Sequence, residues 1–172
     1  MLTESKWFLG SDDIFRAVLL AVDVPLLRKD FTVDEYQLYE AKVLDSDAVL
    51  LLCGLLDTDT LRRYLAVCDA LGLSALVETH DEAELRSAAA AGARVIGVNN
   101  RNLKDFSVDL NNAARLRAGV PAGAVFVAES GVSCPADAAA LRQAGADALL
   151  VGEYLMRSLD KEEALRGLRE AV

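Results

Sequence analysis

The sequence predicts an α/β protein, an incomplete (β/α)8 barrel of about six βα units. Two observations favour this class. Short apolar runs begin roughly 20 to 30 residues apart, the length of one strand followed by one helix. Most of these runs are apolar at consecutive positions, as expected for parallel strands that are covered on both faces.

Six runs are predicted strands, and the segments between them are predicted helices. The strands cover residues 24–31, 47–53, 74–79, 94–100, 124–130 and 147–153. Thr32, Thr79 and Ser133 stand where N-caps are expected, since hydroxyl side chains accept hydrogen bonds from the first N–H groups of a helix. Gly92 and Gly145 end two of the helical patterns, as glycine commonly does after the last helical turn.

The residues that follow the strands decide between a doubly wound sheet and a barrel. A doubly wound nucleotide-binding sheet usually has a glycine-rich turn after its first strand, whereas this chain has "RKDF" at 28–31. Nearly every predicted strand instead ends in a polar residue or a glycine. These residues are Lys29, Gly54, Glu78, Asn99, Arg101, Glu129, Ser130, Gly131, Gly152 and Glu153. Because barrel active sites collect groups from the carboxyl ends of many strands, this distribution favours the barrel.

Length, composition and charge limit the number of domains and the classes of partner. The chain has 172 residues, enough for one domain of ordinary size, and a single domain over 1–172 is predicted. Its net charge of −9 and pI near 4.6 disfavour nucleic acid and anionic membranes, because both attract positively charged surfaces. No apolar run approaches the roughly 18–20 residues of a membrane span, and no secretory signal is recognised. A cytoplasmic location is therefore expected.

The cysteines and the single histidine do not form a metal-binding pattern. Cys53, Cys68 and Cys134 are widely spaced, which disfavours a disulfide framework or a zinc site. All three are predicted to be small core residues. His80 follows a predicted strand directly and is expected to cap the next helix rather than to act in catalysis.

Lys29 and Glu78 are the candidate acid and base. Each ends a predicted strand in a mostly apolar segment, and a lysine with a glutamate can donate and accept protons in a reaction. A structural ion pair at the barrel mouth explains the two residues equally well from the pattern alone.

Four residues are candidate binding residues. Arg101 offers a planar guanidinium that suits a carboxylate, and the Asn99 amide both donates and accepts hydrogen bonds; a loop network is the alternative for both. Gly131 and Gly152 follow the last two strands, where the absence of a Cβ lets backbone N–H groups approach an anion. Barrels often bind a phosphate there, so a phosphorylated substrate is predicted.

Taken in order, the motifs resemble those of the indole-3-glycerol phosphate synthase family of tryptophan biosynthesis. The longest and most distinctive are "LRKDF" at 27–31 and "GVNNRNLKDFSVDL" at 97–110. The resemblance continues through "LTESKWFLGS", "LVETHDEAEL", "VAESGV" and "LLVGEYLMRS", and it covers essentially all 172 residues.

The resemblance implies a TIM barrel in which the six predicted strands correspond to strands three to eight. It also implies a carbon–carbon lyase that closes the ring of 1-(2-carboxyphenylamino)-1-deoxyribulose 5-phosphate, with loss of carbon dioxide and water and without metal or organic cofactor. Lys29 is then the general acid and Glu78 the base, and Asn99 with Arg101 binds the reacting part of the substrate. The implied phosphate-binding residues are Ser130, Gly131, Gly152 and Glu153.

The resemblance further implies that about 80 residues of a complete barrel, including a first strand with a second catalytic lysine, have no counterpart in this sequence. Six strands cannot close an eight-stranded ring, so unpaired edges are expected on the first and last strands. We therefore expect marginal stability or association through these edges, and weak or no activity of the chain alone. The alternative function is a non-catalytic partial barrel that binds a phosphate ligand or complements a separate N-terminal piece. A phosphoribosyl isomerase is disfavoured by "VNNRNL" and "LRKDF".

Overall fold

The computed structural model describes residues 1–103 and 105–171. It has an α/β fold with six parallel strands in the order β1-β2-β3-β4-β5-β6. The strands are β1 (Leu27–Arg28), β2 (Ala48–Leu52), β3 (Ser74–Thr79), β4 (Val95–Asn99), β5 (Val125–Glu129) and β6 (Ala148–Leu150). Each lies inside a segment predicted from the sequence, although β1 and β6 are much shorter than predicted.

Helices follow or connect these strands. They are α1 (Asp12–Leu19), α2 (Tyr36–Val43), α3 (Thr58–Leu71), α4 (Glu82–Ala91), α5 (Asn111–Leu116), α6 (Pro135–Gln143), α7 (Glu153–Arg157) and α8 (Lys161–Glu170). A short 3-10 turn, Arg117–Gly119, follows α5. The alternation of strands and helices therefore agrees with serial βα units.

Contacts within the chain group its residues into two compact units. Unit 1 contains Met1–Glu78 and Ser87–Arg94, hence β1, β2 and nearly all of β3. Unit 2 contains Thr79–Arg86 and the described residues from Val95 onward, hence β4, β5 and β6. The single domain over 1–172 stays a prediction.

Unit 1 has β2 at its centre. Residues 49–52 are apolar at every position and at most 4 % exposed, as expected for a strand covered on both faces. Ala48 pairs with Leu27 of β1 and with Ser74 of β3, so the three parallel strands begin at the same level. Their carboxyl ends therefore emerge along one edge of the sheet.

An aspartate sets the register at the beginning of a strand in each unit. The Asp47 carboxylate accepts a hydrogen bond from the Leu26 N–H at 2.7 Å, and the Asp47 N–H donates to the Leu26 carbonyl oxygen at 3.0 Å. Asp147 makes the same two contacts with Phe126, both at 2.8 Å. Two βα units that are distant in the sequence therefore share this reciprocal pair of hydrogen bonds.

Helix α1 is an element that the sequence analysis did not predict. The Ser11 hydroxyl accepts a hydrogen bond from the Ile14 N–H and caps the helix. Phe15 is fully buried and packs with Leu26 and Leu44 in a separate small core. This apolar contact holds α1 in unit 1.

The outer edge of β1 is not open, contrary to the expectation for the first strand. Leu2 forms a parallel bridge with Lys29. The Lys29 N–H donates to the Met1 carbonyl oxygen at 2.8 Å, and the Thr3 N–H donates to the Lys29 carbonyl oxygen at 3.3 Å. Residues 1–3 therefore supply the backbone partners that an edge strand otherwise lacks.

Unit 2 pairs β4 and β5 along their whole length. The register ends with Asn99 opposite Glu129, and Ala148 of β6 lies opposite Val127. The last four residues of both β4 and β5 are buried, whereas the residues of β6 are exposed or only half-buried. The last strand is therefore the least covered part of the sheet in this unit.

All three predicted N-caps are wrong. Cys134, and not Ser133, occupies the N-cap position of α6. The Thr32 hydroxyl donates to the Leu50 carbonyl oxygen at 3.0 Å, and the Thr79 hydroxyl donates to the Gly97 carbonyl oxygen at 2.9 Å. Both threonines are buried, so they satisfy carbonyl groups of the sheet. The Asp81 carboxylate, two residues later than predicted, accepts the N–H groups at the start of α4.

The cysteines differ in their burial. Cys68 lies in the core as predicted, and desolvation raises the pKa of its thiol to about 11. Cys53 and Cys134 are only half-buried, so their prediction as core residues is wrong. Among the described residues, no cluster of three His, Cys, Asp or Glu side chains is placed to hold a metal ion.

None of the helices in the described part of the chain is both long enough and apolar enough to cross a membrane.

Candidate active site

Lys29 and Glu78 lie together in unit 1. The Lys29 Nζ is 4.0 Å from the Glu78 Oε2, and the exposed fractions of the two side chains are 35 % and 3 %. The pair therefore combines a buried carboxylate with an ammonium group that reaches solvent. Such a pair can present a proton donor and a proton acceptor to one bound molecule.

Strand alternation explains why Lys29, and not Arg28, faces Glu78. Successive side chains of a strand point to opposite faces. Arg28 points toward α2, where its guanidinium contacts the Glu40 carboxylate at 2.7 Å. Lys29 therefore extends from the other face, on the side of Glu78.

An exposed aromatic surface follows Lys29 in unit 1. The Phe8 and Phe31 ring centroids are 6.2 Å apart, and the rings are 52 % and 38 % exposed. The Glu4 carboxylate accepts hydrogen bonds from the N–H groups of Lys6, Trp7 and Phe8 and so shapes the loop that presents the Phe8 ring. This surface suits a planar apolar group.

Asn99 and Asn100 organise the loop after β4. The Asn99 Oδ1 accepts a hydrogen bond from the Arg101 N–H at 2.9 Å. The Asn100 side chain accepts from the Ala113 N–H and donates to the Ser130 carbonyl oxygen. The contacts of Asn100 are those of a residue that organises the loop. The loop-network alternative for Asn99 accounts for its contact with the Arg101 N–H.

Arg101 and Glu153 come together in unit 2, although they are far apart in the sequence. The Arg101 guanidinium donates to the Glu153 Oε2 at 2.8 Å, and the exposed fractions of the two side chains are 30 % and 56 %. Glu153 also pairs with Arg157 at 3.0 Å. The geometry shows that the Arg101 guanidinium accepts a carboxylate as partner, as its chemistry predicts.

The two predicted phosphate-site glycines differ in their local conformation. Ser130 and Gly131 have φ values of 64° and 87°, and a Cβ at Gly131 would lie 2.7 Å from Val108 and 2.9 Å from Leu110. Gly152 has a φ of −123°, and no atom lies within 4 Å of a Cβ built there. The fold therefore requires glycine at 131, while the space around 152 is open to a ligand.

Glu129 is a candidate that the sequence analysis did not select. It is 1 % exposed and lies directly opposite Asn99 at the carboxyl end of β5. A carboxylate that ends an apolar strand is the same signal that identified Glu78. Glu129 is among the strand-end residues of the sequence, but roles were predicted only for the residues that follow it.

His80 lies at the start of α4, as predicted. Its backbone N–H donates to the Glu84 Oε2 at 2.8 Å, and its Nδ1 is 3.0 Å from the same oxygen. Its carbonyl oxygen accepts a hydrogen bond from Asn112. These contacts give His80 a structural role between α4 and α5.

The sequence was compared with models of known protein families. Residues 1–168 match the family model described as indole-3-glycerol phosphate synthase. The chain belongs to the indole-3-glycerol phosphate synthase family. The resemblance inferred from "LRKDF" and "GVNNRNLKDFSVDL" is thereby confirmed.

Named members of the family align with almost the whole chain. The indole-3-glycerol phosphate synthase of Ruminiclostridium cellulolyticum is 55 % identical over 169 residues, which are 98 % of this chain and 65 % of that protein. The relative from Lachnoclostridium phytofermentans is 47 % identical over 172 residues, which are 100 % of this chain and 64 % of that protein. The chain therefore spans slightly less than two thirds of the length of these relatives.

Solved structures support the fold class. A 3-hexulose-6-phosphate synthase matches with a TM-score of 0.79 at 21 % identity and covers 99 % of this chain and 86 % of its own. The enzyme of that name from Salmonella typhimurium gives a TM-score of 0.83 at 15 % identity, with 99 % and 84 % coverage. At these identities the likeness shows the fold alone. The assignment of the six strands to strands three to eight of a barrel stays a prediction.

Proposed function

We propose that this chain carries the acid–base pair of an indole-3-glycerol phosphate synthase, a carbon–carbon lyase of tryptophan biosynthesis. Its substrate is then 1-(2-carboxyphenylamino)-1-deoxyribulose 5-phosphate, and the reaction closes the indole ring with loss of carbon dioxide and water. The observation that carries the proposal is the 4.0 Å contact between Lys29 and the buried Glu78. Family membership over residues 1–168 supports it.

The chemistry assigns one step to each member of the pair. The ring carbon that bears the carboxylate forms a bond with the ketone carbon, while Lys29 donates a proton to the ketone oxygen. Departure of carbon dioxide returns its bonding electron pair to the aromatic ring. The ketone oxygen is then a hydroxyl group, and it leaves as water when Lys29, reprotonated from solvent, donates a second proton to it. Glu78 accepts a proton from the adjacent carbon, and the loss of this proton completes the indole double bond.

The aromatic end of the substrate fits the surface of Phe8 and Phe31. The phenyl ring is planar and apolar, and the two exposed rings offer a matching face in unit 1. Asn99 and Arg101 are proposed to bind the reacting part of the substrate. The contact between Arg101 and Glu153 supports this role, because a substrate anion can replace the Glu153 carboxylate on the guanidinium.

The phosphate is proposed to bind at the ends of β5 and β6. The residues assigned to it are Ser130, Gly131, Gly152 and Glu153. The open space at Gly152 supports the assignment, because a phosphate needs close access to backbone N–H groups. The Glu153 contribution is its N–H group, since its carboxylate pairs with two arginines and would repel a phosphate.

Turnover of the purified chain, measured alone and with the unmatched third of a full-length relative added in trans, tests the proposal. Lys29→Met and Glu78→Gln should each lower kcat by about 100-fold or more, since each removes a proton-transfer group. Arg94→Met is the matched control, because Arg94 is an exposed arginine of unit 1 that pairs only with Asp69 among the described contacts. Unchanged kcat in both site variants would overturn the assignment.

The second candidate function is complementation by another polypeptide. A groove of about 480 Å³ lies beside β6, and its apolar lining comes from β6, α7, α8 and residues on both sides of β6. The apolar lining residues are Ala146, Ala148, Leu149, Val151, Leu155, Leu165 and Leu168. About a third of each relative's length has no counterpart in this chain. The proposed occupant of the groove is a strand and a helix of the kind expected in that third.

This candidate predicts rescue in trans. The third of the Ruminiclostridium cellulolyticum protein that this chain does not match would be added as a separate polypeptide. Binding should raise turnover, and Leu149→Lys should weaken binding because it places a charge in the groove. Turnover that does not respond to the added segment, with no binding detected by sedimentation, would remove this candidate.

Three predictions about partners and location complete the proposal. The acidic net charge of −9 disfavours nucleic acid and anionic membranes as partners. A phosphorylated small molecule is compatible with this charge, because it responds to the local charge of its site. The cytoplasmic location follows from the proposed place in amino-acid biosynthesis and stays a prediction.

A further inference from the structure

We propose that Arg28 and Thr3 are positioning residues that direct the Lys29 side chain toward Glu78. The inference rests on the proposed function only where it concerns turnover, because the positioning itself is a property of the chain without substrate. These residues are needed because β1 is short. A strand of two residues has few backbone hydrogen bonds to fix the direction of the next side chain.

Arg28 anchors β1 to the helix that follows it. Its side chain is 7 % exposed, and its guanidinium contacts the Glu40 carboxylate at 2.7 Å and the Gln37 carbonyl oxygen at 3.2 Å. Because α2 provides both partners, the Arg28 side chain is held on the helix side of the sheet. Lys29, the next residue, must then extend from the opposite face.

Thr3 connects the residues on either side of Lys29. Its hydroxyl donates to the Asp30 Oδ2 at 2.6 Å and accepts from the Arg28 Nε at 3.4 Å. Asp30 also lies 3.6 Å from the Arg28 guanidinium. Thr3 is 6 % exposed, so this small polar network is shielded from water and each contact is strengthened.

The backbone of Lys29 is fixed by the same segment. Its N–H donates to the Met1 carbonyl oxygen, and its carbonyl oxygen accepts from the Thr3 N–H. The backbone of Lys29 and its two neighbouring side chains are thus held in place, while the Lys29 side chain itself is 35 % exposed. Its direction is determined by contacts that do not include its own ammonium group.

Thr3 offers the matched pair of variants. Thr3→Val keeps the shape of the side chain but removes both hydroxyl contacts, whereas Thr3→Ser keeps the hydroxyl. Arg28→Lys keeps the charge but loses the planar guanidinium that contacts several groups at once. If Arg28→Lys fails to fold by circular dichroism, the Thr3 pair still tests the proposal.

The first measurement needs no turnover. Lysines are dimethylated with ¹³C-formaldehyde, and the Lys29 signal is assigned by its loss in Lys29→Arg, with exposed Lys42 as the reference. In the wild-type background, Glu78→Gln should shift the Lys29 signal and not the Lys42 signal. In the Thr3→Val background, Glu78→Gln should no longer shift it, and in Thr3→Ser the shift should return. An equal shift in all three backgrounds would overturn the proposal.

The second measurement is the division between kcat and KM. Thr3→Val should lower kcat about tenfold with KM changed less than about threefold, because misplacing an acid affects the chemical step more than binding. Thr3→Ser should restore kcat. If the unsubstituted chain has no turnover, alone or with the complementing segment, the proposed function fails while the ¹³C measurement still decides the positioning role.

Discussion

At the scale of single residues, Gly131 and Gly152 should respond in opposite ways to an added methyl group. Gly131→Ala forces a positive φ on alanine and places its Cβ 2.7 Å from Val108, so we expect a loss of about 2 kcal/mol in unfolding free energy. Gly152→Ala should change that free energy by less than about 0.5 kcal/mol, because nothing occupies the space beside it. Urea unfolding of the two variants measures the difference.

The same pair of variants separates folding from anion binding. Gly152→Ala should weaken binding of inorganic phosphate about fivefold or more, because a methyl group obstructs the approach of the anion to the backbone. Titration calorimetry on the folded variant measures this change. Unchanged phosphate affinity in Gly152→Ala would show that the anion does not approach Gly152.

The sequence predicted which residues end the strands better than it predicted the role of those residues. From the pattern alone a structural ion pair explained Lys29 and Glu78 as well as an acid–base pair did, and the structure adds that their charged groups lie 4.0 Å apart. The pair of Arg101 with Glu153 was not predictable, since it depends on how β4 and β6 are placed across a long stretch of chain. Glu129 also ends an apolar strand, but a binding role was predicted only for Ser130 and Gly131, which follow it.

At the scale of elements, the start of α6 provides a pH-dependent stabilisation. The Asp137 carboxylate accepts hydrogen bonds from the Ser133 hydroxyl at 2.7 Å and from the Ser133 and Cys134 N–H groups. The Ser133 hydroxyl contact is the main cause that lowers the pKa of Asp137 below its usual value of 3.8. The stabilisation is therefore present above pH 3.8 and disappears as the pH falls through the lowered pKa.

Asp137→Ala should lower the unfolding free energy by about 1 kcal/mol at pH 7. The difference in unfolding free energy from the unsubstituted chain should narrow as the pH falls below 3.8. Asp137 of the unsubstituted chain is then protonated and no longer supplies the stabilising carboxylate. Urea unfolding at several pH values measures both effects. Asp137→Asn is the control that keeps the size of the side chain without a titrating group, and a pH-independent difference in Asp137→Ala would contradict the assignment.

Helix and strand boundaries show where local sequence signals compete. Ser133 was predicted as the N-cap of α6, and the observed N-cap position is Cys134, with Ser133 bonded to the Asp137 carboxylate. The signal for α1 was present in Ser11 and the two aspartates after it, yet no predicted strand led into it. Hydroxyl and carboxylate side chains fit several positions near a helix start, so tertiary contacts choose among them.

At the scale of the whole molecule, the order of strands was the most predictable property. Buried parallel strands are apolar at consecutive positions, and this pattern located all six. The pattern did not predict that residues 1–3 pair with Lys29 and so cover the edge of the first strand. Pairing of an isolated backbone segment depends on shape rather than on a periodic sequence, so only the structure revealed it.

Burial within unit 2 predicts that its C-terminal part opens first. β6 has three residues, none of them fully buried, and Leu168 is the one buried residue among those described in α8. In β4 and β5, four of five residues are buried. Since local opening costs less where little apolar surface is buried, amide hydrogens of 148–170 should exchange faster than those of 95–99 and 125–129.

Hydrogen exchange followed by mass spectrometry measures this gradient. Leu168→Ala should accelerate exchange in 148–170 and leave β4 and β5 nearly unchanged, because it removes the principal apolar anchor of α8. An exposed apolar residue of the same helix, Leu165, gives the control Leu165→Ala, for which a smaller effect is expected. The contrary result is equal protection from exchange in all strands of the unit, lowered in all of them by Leu168→Ala. In that case β6 and α8 unfold together with β4 and β5 as one cooperative unit. The groove beside β6 would then be rigid without a partner.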